Sequence, residues 1–160
     1  MSDLMIARMY VGQDPMGYWM SERLDGWHVW WTGSNFLTRD GEFVEYPSEI
    51  LDEIPNVPLD GVLWCGRQNV DQCHRVVSLA LPTMEQWSNV TFCVMDSPLD
   101  TFTRHGLLNG RLMETEYCRI IPQVRCLGRD HFQEFFDRVI LDGGKGVMLR
   151  AWTSIAVLME

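Results

Sequence analysis

Lys145 is the only lysine in the sequence, which has 13 lysine and arginine residues in all. A lysine amine can lose its proton and act as a nucleophile, whereas an arginine guanidinium stays protonated and is a very poor one. The string Arg23-Leu24-Asp25-Gly26 therefore presents a cation that cannot attack a phosphate. Nothing in the sequence around Lys145 supplies the in-line placement that phosphoryl transfer requires, so we expect no catalytic residue.

The cysteines and histidines do not have the spacing of metal ligands. None of the four histidines belongs to a His-x-x-x-His pair, and the five cysteines lack closely spaced pairs. Structural zinc sites and redox motifs both use such pairs. We therefore predict no metal site and interpret the cysteines as buried, reduced thiols, with metal ligation as the alternative. The cysteines are Cys65, Cys73, Cys93, Cys118 and Cys126.

Length and composition indicate one globular domain with a substantial core. The chain has 160 residues, of which 46% are hydrophobic and 22% charged. We predict a single domain over residues 1–160. The apolar runs are far too short to span a bilayer, and the first residues lack the basic start of a signal peptide. We expect a cytoplasmic protein that does not enter a membrane.

The charge balance favours a protein partner over a nucleic acid. The formal net charge is −9 at pH 7, and phosphate backbones are bound mainly by Lys and Arg, so DNA binding is not expected. Trp27, Trp30 and Trp31 fall in one predicted strand, where successive side chains face opposite sides. Core packing is the default interpretation of these rings. The alternative is that at least one of them is exposed and serves as an anchor for a partner.

Strands are predicted where β-branched and aromatic residues cluster between turn residues. Residues 18–31 have the pattern of two strands joined by a tight turn at Asp25-Gly26. Asp40-Gly41 and Asp60-Gly61 are interpreted as further turn formers. Other strands are predicted over Leu59–Trp64, Thr91–Met95 and Val147–Leu149.

Helical features occur in three segments. Ser48–Ile54 is a short candidate helix that Ser48 would cap. Apolar spacing predicts a helix over Val70–Leu81 and another that begins at Asp130. The apolar face of the latter comprises Phe132, Phe135, Phe136, Val139 and Ile140. Strands scattered between non-repeating helices predict the α+β class.

Five short strings occur in an order that resembles the motifs of one enzyme family. They are Arg23-Leu24-Asp25-Gly26, Leu37-Thr38-Arg39-Asp40-Gly41, Leu59-Asp60-Gly61-Val62-Leu63-Trp64, Phe92-Cys93-Val94-Met95-Asp96 and Gly143-Gly144-Lys145-Gly146-Val147-Met148-Leu149-Arg150. Their order and spacing resemble those of the adenylation domain of small bacterial and phage-type ATP-dependent DNA ligases.

The resemblance implies a ligase-like nucleotidyltransferase fold, ATP-grasp-like, with antiparallel sheets and flanking helices. It also implies a helix between Leu99 and Glu116. The sequence ends before the Lys-x-Lys motif and the OB-fold domain of the family, so we expect a domain without an OB fold.

Several positions that the family uses for chemistry carry other residues here. Arg23 occupies the place of the lysine that attacks the α-phosphate of ATP, and His28 the place of an arginine. Val62 replaces a glutamate that accepts hydrogen bonds from the nucleotide ribose, and a valine has no acceptor. Met95 replaces a phenylalanine that stacks on adenine. Lys145 replaces a glutamate of metal-assisted catalysis, which inverts the charge.

Three further positions of the expected nucleotide pocket keep the family residue: Asp25, Arg39 and Asp96. Arg39 matches a residue that approaches the DNA phosphate in ligases, although an arginine before Asp-Gly suits a surface ion pair equally well. Asp96 could also hold a backbone turn before Pro98. The eight positions together are interpreted as a degenerate nucleotide pocket.

The replacements predict a pseudoenzyme that keeps the ligase scaffold and binds and inhibits a protein. By analogy with compact phage-type ligases, it is interpreted as a phage accessory factor that acts on a host enzyme. No cofactor is expected. Three alternatives stay open: a residual ATP or AMP binding module, an atypical ligase or adenylyltransferase, and an acidic mimic of DNA.

Overall fold

The computed structural model describes residues 7–10, 12–97, 114–150 and 156–159. The helix expected between Leu99 and Glu116 falls almost entirely outside these residues. The described chain forms two compact units. The first takes its described residues from Asp25–Ile120, and the second from the segments before Asp25 and after Ile120.

The described strands form two sheets. They are β1 (Ala7–Met9), β2 (Trp19–Glu22), β3 (Trp27–Trp31), β4 (Phe36–Leu37), β5 (Phe43–Val44), β6 (Leu59–Trp64), β7 (Thr91–Asp96), β8 (Cys118–Ile120), β9 (Val124–Arg125), β10 (Val147–Arg150) and β11 (Ala156–Met159). The helices are a 3-10 helix over Ser48–Glu53, α1 (Val70–Val77) and α2 (Arg129–Leu141). Mixed strands and helices confirm the α+β class.

The sheet of the first unit has the order β5-β4-β3-β6-β7-β8. Its pairings are antiparallel except for β7 with β8. One face of this sheet packs into a core with α1 and the buried Trp87; its strand residues include Val29, Leu63, Phe92 and Val94. Because strand side chains alternate, the neighbouring residues His28, Asp60 and Val62 lie on the opposite face.

A bulge interrupts the pairing of β6 with β7. Asp60 pairs with Asp96 and Gly61 with Val94, so Met95 is the extra residue of β7. A Cβ at Gly61 would collide with the carbonyl oxygen of Cys93 and with the ring of Phe92. A glycine is therefore needed here so that the two strands can approach.

The sheet of the second unit has the order β1-β11-β10-β2-β9. β1 pairs with β11 in parallel, and the other pairings are antiparallel. α2 contributes Phe132 and Val139 to a core that also contains Met20, Val147 and Leu149. Phe135 and Phe136 are partly buried and pack against this core, as predicted, whereas Ile140 is exposed and departs from the predicted apolar face of α2.

The predicted hairpin between β2 and β3 is wrong, although both strands are present. β2 pairs with β9 and β10, whereas β3 pairs with β4 and β6. The connection from β2 to β3 does not form a hairpin turn, because the residues at each of its ends stay bonded to the sheet of the adjoining strand. The Arg23 N–H donates to the Gly146 carbonyl at 2.8 Å, and Gly26 lies so close to β6 that a Cβ would strike the Leu63 carbonyl.

Asp60-Gly61 is not a turn either, because it lies inside β6. Asp40-Gly41 does form the predicted turn: the Gly41 N–H donates to the Thr38 carbonyl at 2.9 Å, and Gly41 has φ 85°. Both Asp-Gly pairs look alike in sequence. The difference arises from the long apolar run around Asp60, which favours a buried strand.

The helices before α2 differ in detail from their predictions. Ser48–Glu53 is a 3-10 helix whose N-cap position is Pro47, so Ser48 does not cap it. Instead, the Ser48 hydroxyl donates to the Glu49 carboxylate at 3.1 Å. α1 ends at Val77 instead of Leu81. At the end of α1, the Ser78 hydroxyl and the Ser78 N–H both donate to the His74 carbonyl, at 2.7 and 3.2 Å.

The tryptophans of β3 follow the default interpretation, core packing, and the cysteines follow theirs. Trp30 and Trp31 are buried and Trp27 is partly buried, so the alternative of an exposed tryptophan anchor on β3 is wrong. Among the described residues, Phe43 on β5 is the large aromatic side chain that is exposed. All five cysteines are free and buried, as predicted.

Among the described residues, no helix has both the length and the apolar character to cross a membrane.

Candidate functional site

The outer face of the first sheet, opposite its core, carries the polar side chains that could do chemistry. His28 on β3 lies directly across from Val62 on β6, and Trp30 lies across from Asp60. His28 and Asp60 are therefore diagonal neighbours on one face, within reach of each other. The antiparallel register of two buried strands fixes this arrangement.

Three of these side chains form a hydrogen-bonded chain. Nε2 of His28 lies 2.6 Å from Oδ1 of Asp60, and Nδ1 of His28 lies 2.8 Å from Nη2 of Arg39. A guanidinium can only donate, so Nδ1 must accept, and Nε2 must carry the proton that is donated to Asp60. The geometry thus assigns a neutral imidazole with its proton on Nε2.

The three residues differ in exposure, which sets how firmly each is held. The Asp60 side chain is 1% exposed and the His28 side chain is 23% exposed. Arg39 is exposed, in the turn after β4. The buried carboxylate orients the imidazole, while the guanidinium of the exposed Arg39 covers its accepting nitrogen. Chemically, Nδ1 is the basic atom of this group, and Arg39 occupies it.

A second buried carboxylate lies directly across from the first. Asp96 on β7 pairs with Asp60 on β6, and both are buried. Like charges in such a position repel each other unless each is stabilised separately. Asp60 has His28 as a partner, and Asp96 accepts a hydrogen bond from the N–H of Ser97 at 2.8 Å. Each carboxylate of the pair therefore has a hydrogen-bond donor of its own.

Apolar side chains occupy the neighbouring positions of this face. Val62 is buried and lies opposite both His28 on β3 and Cys93 on β7. Met95 is partly buried at the bulge. Neither side chain offers a strong hydrogen-bonding group to a ligand. The thiol of Cys93 adds none, because burial raises its pKa to about 12 and keeps it neutral.

The second unit holds two of the three lysine and arginine residues at predicted pocket positions, Arg23 and Lys145. Arg23 follows β2, and its main chain bonds Gly146, the residue after Lys145. Lys145 is exposed in the connection between α2 and β10. Gly144 fixes this connection, since a Cβ there would lie 2.6 Å from the Val139 side chain and 2.9 Å from the Glu22 carboxylate.

The eight predicted positions are thus distributed over both units. Arg23 and Lys145 lie in the second unit, and the others in the first. Within the first unit, His28 and Arg39 are in contact, and Val62 lies opposite His28. Asp25 is partly buried in the connection from β2 to β3.

Comparisons with known proteins point to one kind of domain. No protein-family model matches the chain. A DNA ligase of Haemophilus influenzae is 31% identical over 152 residues, which cover 93% of this chain and 57% of that protein. A solved Lig E DNA ligase has a TM-score of 0.84 at 25% identity, with coverage of 100% of this chain and 69% of the other. The chain contains a DNA-ligase-like domain.

The likeness extends to more distant structures at the level of the fold. Chlorella virus DNA ligase-adenylate has a TM-score of 0.59 at 12% identity, with coverage of 99% of this chain and 67% of the other. The ligase-like domain spans little more than half the length of the Haemophilus influenzae protein. The resemblance inferred from the five strings is confirmed at this level.

Asp60 is the residue of the outer face that sequence reasoning missed. It was interpreted as a turn former, but it is the buried partner of His28. A signal was available, since an aspartate within the apolar run Leu59–Trp64 must be buried if the run is a central strand. Buried carboxylates require a partner, and a nearby histidine on an adjacent strand is a suitable one. In the ligase-like domain, this pair connects β3 to β6.

Within the described part of the ligase-like domain, no group of three or more His, Cys, Asp or Glu side chains is placed to hold an ion.

Proposed function

We propose that this ligase-like protein is a pseudoenzyme, unable to transfer an adenylyl group, and that it acts by binding and inhibiting another protein. The family's chemistry needs a nucleophilic amine and groups that recognise the nucleotide. In this chain, the corresponding positions hold side chains of different chemistry or side chains already bonded to each other.

The bonding of His28 carries the proposal. Both of its ring nitrogens are engaged by protein groups, Asp60 on one side and Arg39 on the other. A nucleotide hydroxyl or phosphate that approached this face would have to displace one of them. The adjacent position, Val62, is buried and has no acceptor for a ribose hydroxyl. The outer face therefore supports a structural role for these groups.

The cations of the second unit support the same conclusion by their chemistry. Arg23 stands where the resemblance calls for the nucleophile, and its guanidinium is not a nucleophile at neutral pH. Lys145 stands where the resemblance calls for an acidic residue near a metal ion. A cation at that position would repel magnesium rather than bind it.

A protein partner suits the surface better than DNA does. DNA binding is a property named for the Lig E ligase, but the formal net charge of −9 opposes it in this chain. The exposed Phe43, which is flanked by Glu42 and Glu45, is the kind of aromatic side chain that anchors protein contacts.

Intact-protein mass spectrometry after incubation with ATP and magnesium tests the first half of the proposal. An active DNA ligase, treated in parallel, should gain the mass of one adenylyl group, whereas this protein should gain none. An adduct on this protein would overturn the proposal, and peptide mapping would then locate the nucleophile.

A thermal unfolding scan with ATP or AMP distinguishes a protein that does not bind nucleotide from one that binds it without catalysis. We expect no shift, because a ligand stabilises a fold only to the extent that it binds the folded state. A concentration-dependent rise without an adduct would instead favour nucleotide sensing. A gel-shift assay with nicked DNA at low salt completes the test, and we expect no complex.

A further inference from the structure

β5 forms an open edge of the first sheet. The strand order of this sheet begins with β5, which pairs only with β4 among the described strands. The turn between them is a three-residue loop: the Thr38 N–H donates to the Glu42 carbonyl at 2.8 Å, and Gly41 takes a positive φ of 85°. An edge of this kind can accept another strand.

The hydrogen-bond pattern of this hairpin determines the direction in which the N–H and C=O groups of Phe43 point. Thr38 and Glu42 form a hydrogen-bonded pair, so the next pair, Leu37 with Phe43, is of the non-bonded type. In such a pair, the N–H and C=O groups point away from the partner strand. The main chain of Phe43 is therefore directed toward the open edge.

Apolar side chains surround this edge. Phe43 is 70% exposed and Leu51, from the 3-10 helix, is 44% exposed. They line a groove of about 310 Å³ together with Val44 and Tyr46. Tyr46 is held in place because its hydroxyl donates to the Ser34 carbonyl and its ring packs on Trp31 and Phe36. The groove thus has a fixed wall and two exposed apolar side chains.

The segment that follows Arg39 and supplies most of the groove lining is acidic. Between Asp40 and Glu53 the sequence has six acidic residues and no lysine or arginine. Four of them are exposed beside the groove-lining residues: Glu42, Glu45, Glu49 and Asp52. Potentials of this kind attract cationic partners and repel anionic ones. Nucleic acid and a second copy of this acidic chain are both disfavoured here.

We propose that this β5 groove binds an extended segment of another protein in which apolar residues alternate with lysine or arginine. The segment adds to β5 as an outer strand, with main-chain bonds to Phe43. Its apolar side chains pack on Phe43 and Leu51, and its cations meet the acidic border. This inference deepens the proposed function, since it assigns the surface through which the pseudoenzyme contacts its partner.

Fluorescence anisotropy with a labelled peptide of alternating lysine and valine tests the proposal on the full chain. We expect saturable binding with a Kd below about 100 μM, which weakens as salt is added. A matched peptide of alternating glutamate and valine should not bind. Absence of lysine-peptide binding to the wild-type protein would overturn the proposal.

Substitutions at Phe43 locate the binding. Phe43→Ala removes the exposed ring and should weaken binding about 10-fold. Phe43→Pro removes an N–H that points away from β4, so it should abolish strand addition while leaving the hairpin paired. Leu81→Ala is the matched control, because Leu81 is 87% exposed and does not line the groove. It should bind like the wild type.

A charge reversal keeps the test decisive if the proline variant fails to fold. Glu45→Lys with Glu49→Lys should weaken binding of the lysine peptide and permit binding of the glutamate peptide. Binding that survives both Phe43→Ala and this reversal would place the peptide elsewhere and refute the proposal. An adenylyl adduct on the wild-type protein, by contrast, would overturn the inactivity and leave the peptide result intact.

Discussion

The Nε2 atom of His28 lies 2.6 Å from the carboxylate of Asp60, and the two residues belong to adjacent strands, β3 and β6. This bond gives a buried carboxylate its donor and fixes the imidazole on the outer face of the sheet. Arg39 occupies the second nitrogen of the ring. The pair therefore stabilises the fold at the same position at which the ligase resemblance implies a nucleotide contact.

Removal of the imidazole should destabilise the protein. His28→Ala leaves the buried carboxylate of Asp60 without this donor, and we expect the free energy of unfolding to fall by about 1–3 kcal/mol. Urea denaturation monitored by tryptophan fluorescence measures the change. His28→Gln retains a side-chain N–H and should recover part of the loss.

The matched control is Arg39→Ala. Arg39 is exposed, so its bond to His28 is weakened by solvent, and its removal should change the unfolding free energy by less than about 1 kcal/mol. If the two alanine variants lost equal stability, the buried pair would not be the dominant interaction of this group.

The tautomer of His28 is directly measurable. Long-range ¹H–¹⁵N NMR spectra of the imidazole should show a protonated Nε2 and a bare Nδ1, because the guanidinium of Arg39 can only donate to Nδ1. In Asp60→Asn the side-chain amide can itself donate to Nε2, so the preference should weaken or reverse. A protonated Nδ1 in the wild-type protein would contradict the hydrogen-bond assignment.

Local sequence pattern predicted strands well because burial and β-branched composition act over a few residues. Leu59–Trp64, Thr91–Met95 and Val147–Leu149 were all located correctly. The partners of a strand depend on distant residues instead. β2 and β3 are separated by four residues, yet they join different sheets, since β2 pairs with segments far along the chain.

The candidate site was predicted in part for a similar reason. The resemblance selected His28 and Arg39, which are in contact, from the order of short strings. Asp60 was missed because Asp-Gly is a strong local signal for a turn, and only the apolar residues on both sides override it. Similarly, the sequence pattern drew attention to the tryptophans of β3. This central strand buries Trp30 and Trp31, whereas the short edge strand β5 exposes Phe43.

Gly61→Ala should be severely destabilising. The new methyl group would collide with the Cys93 carbonyl and the Phe92 ring, and backbone atoms of a central strand cannot move aside cheaply. We expect a loss of about 3 kcal/mol or more in unfolding free energy. Gly17→Ala is the comparison, since a Cβ there meets nothing within 4 Å and only its φ of 85° opposes it. A loss of about 1 kcal/mol is expected for Gly17→Ala.

The buried thiols should make stability fall at alkaline pH. Burial raises the pKa of Cys73, Cys93 and Cys118 from 9.0 to about 12. Between these values the unfolded thiols lose protons that the folded thiols keep, so the unfolded state binds fewer protons. The free energy of unfolding therefore falls as pH rises through this window, by at most about 1.4 kcal/mol per pH unit for each thiol.

Chemical denaturation from pH 8 to pH 11 follows this effect, and Cys93→Ala is the comparison variant. Its absolute stability will differ, but its pH slope should be shallower by about one thiol's contribution, since one titrating group is gone. Identical slopes for the two proteins would show that the Cys93 thiol does not contribute.

The two units are nested along the chain, and this order has a consequence for synthesis. Met20 of β2 pairs with Val124 and Leu149, and Ala7 of β1 pairs with Ala156, so the second unit is assembled from segments on both sides of the first. During translation, the first unit can form on the ribosome as soon as β8 has emerged. The early strands of the second unit must wait, with open edges, until more of the chain is made. Their pairings span most of the sequence, and such distant contacts form slowly. Chaperone dependence and aggregation of nascent chains should therefore originate from β1 and β2.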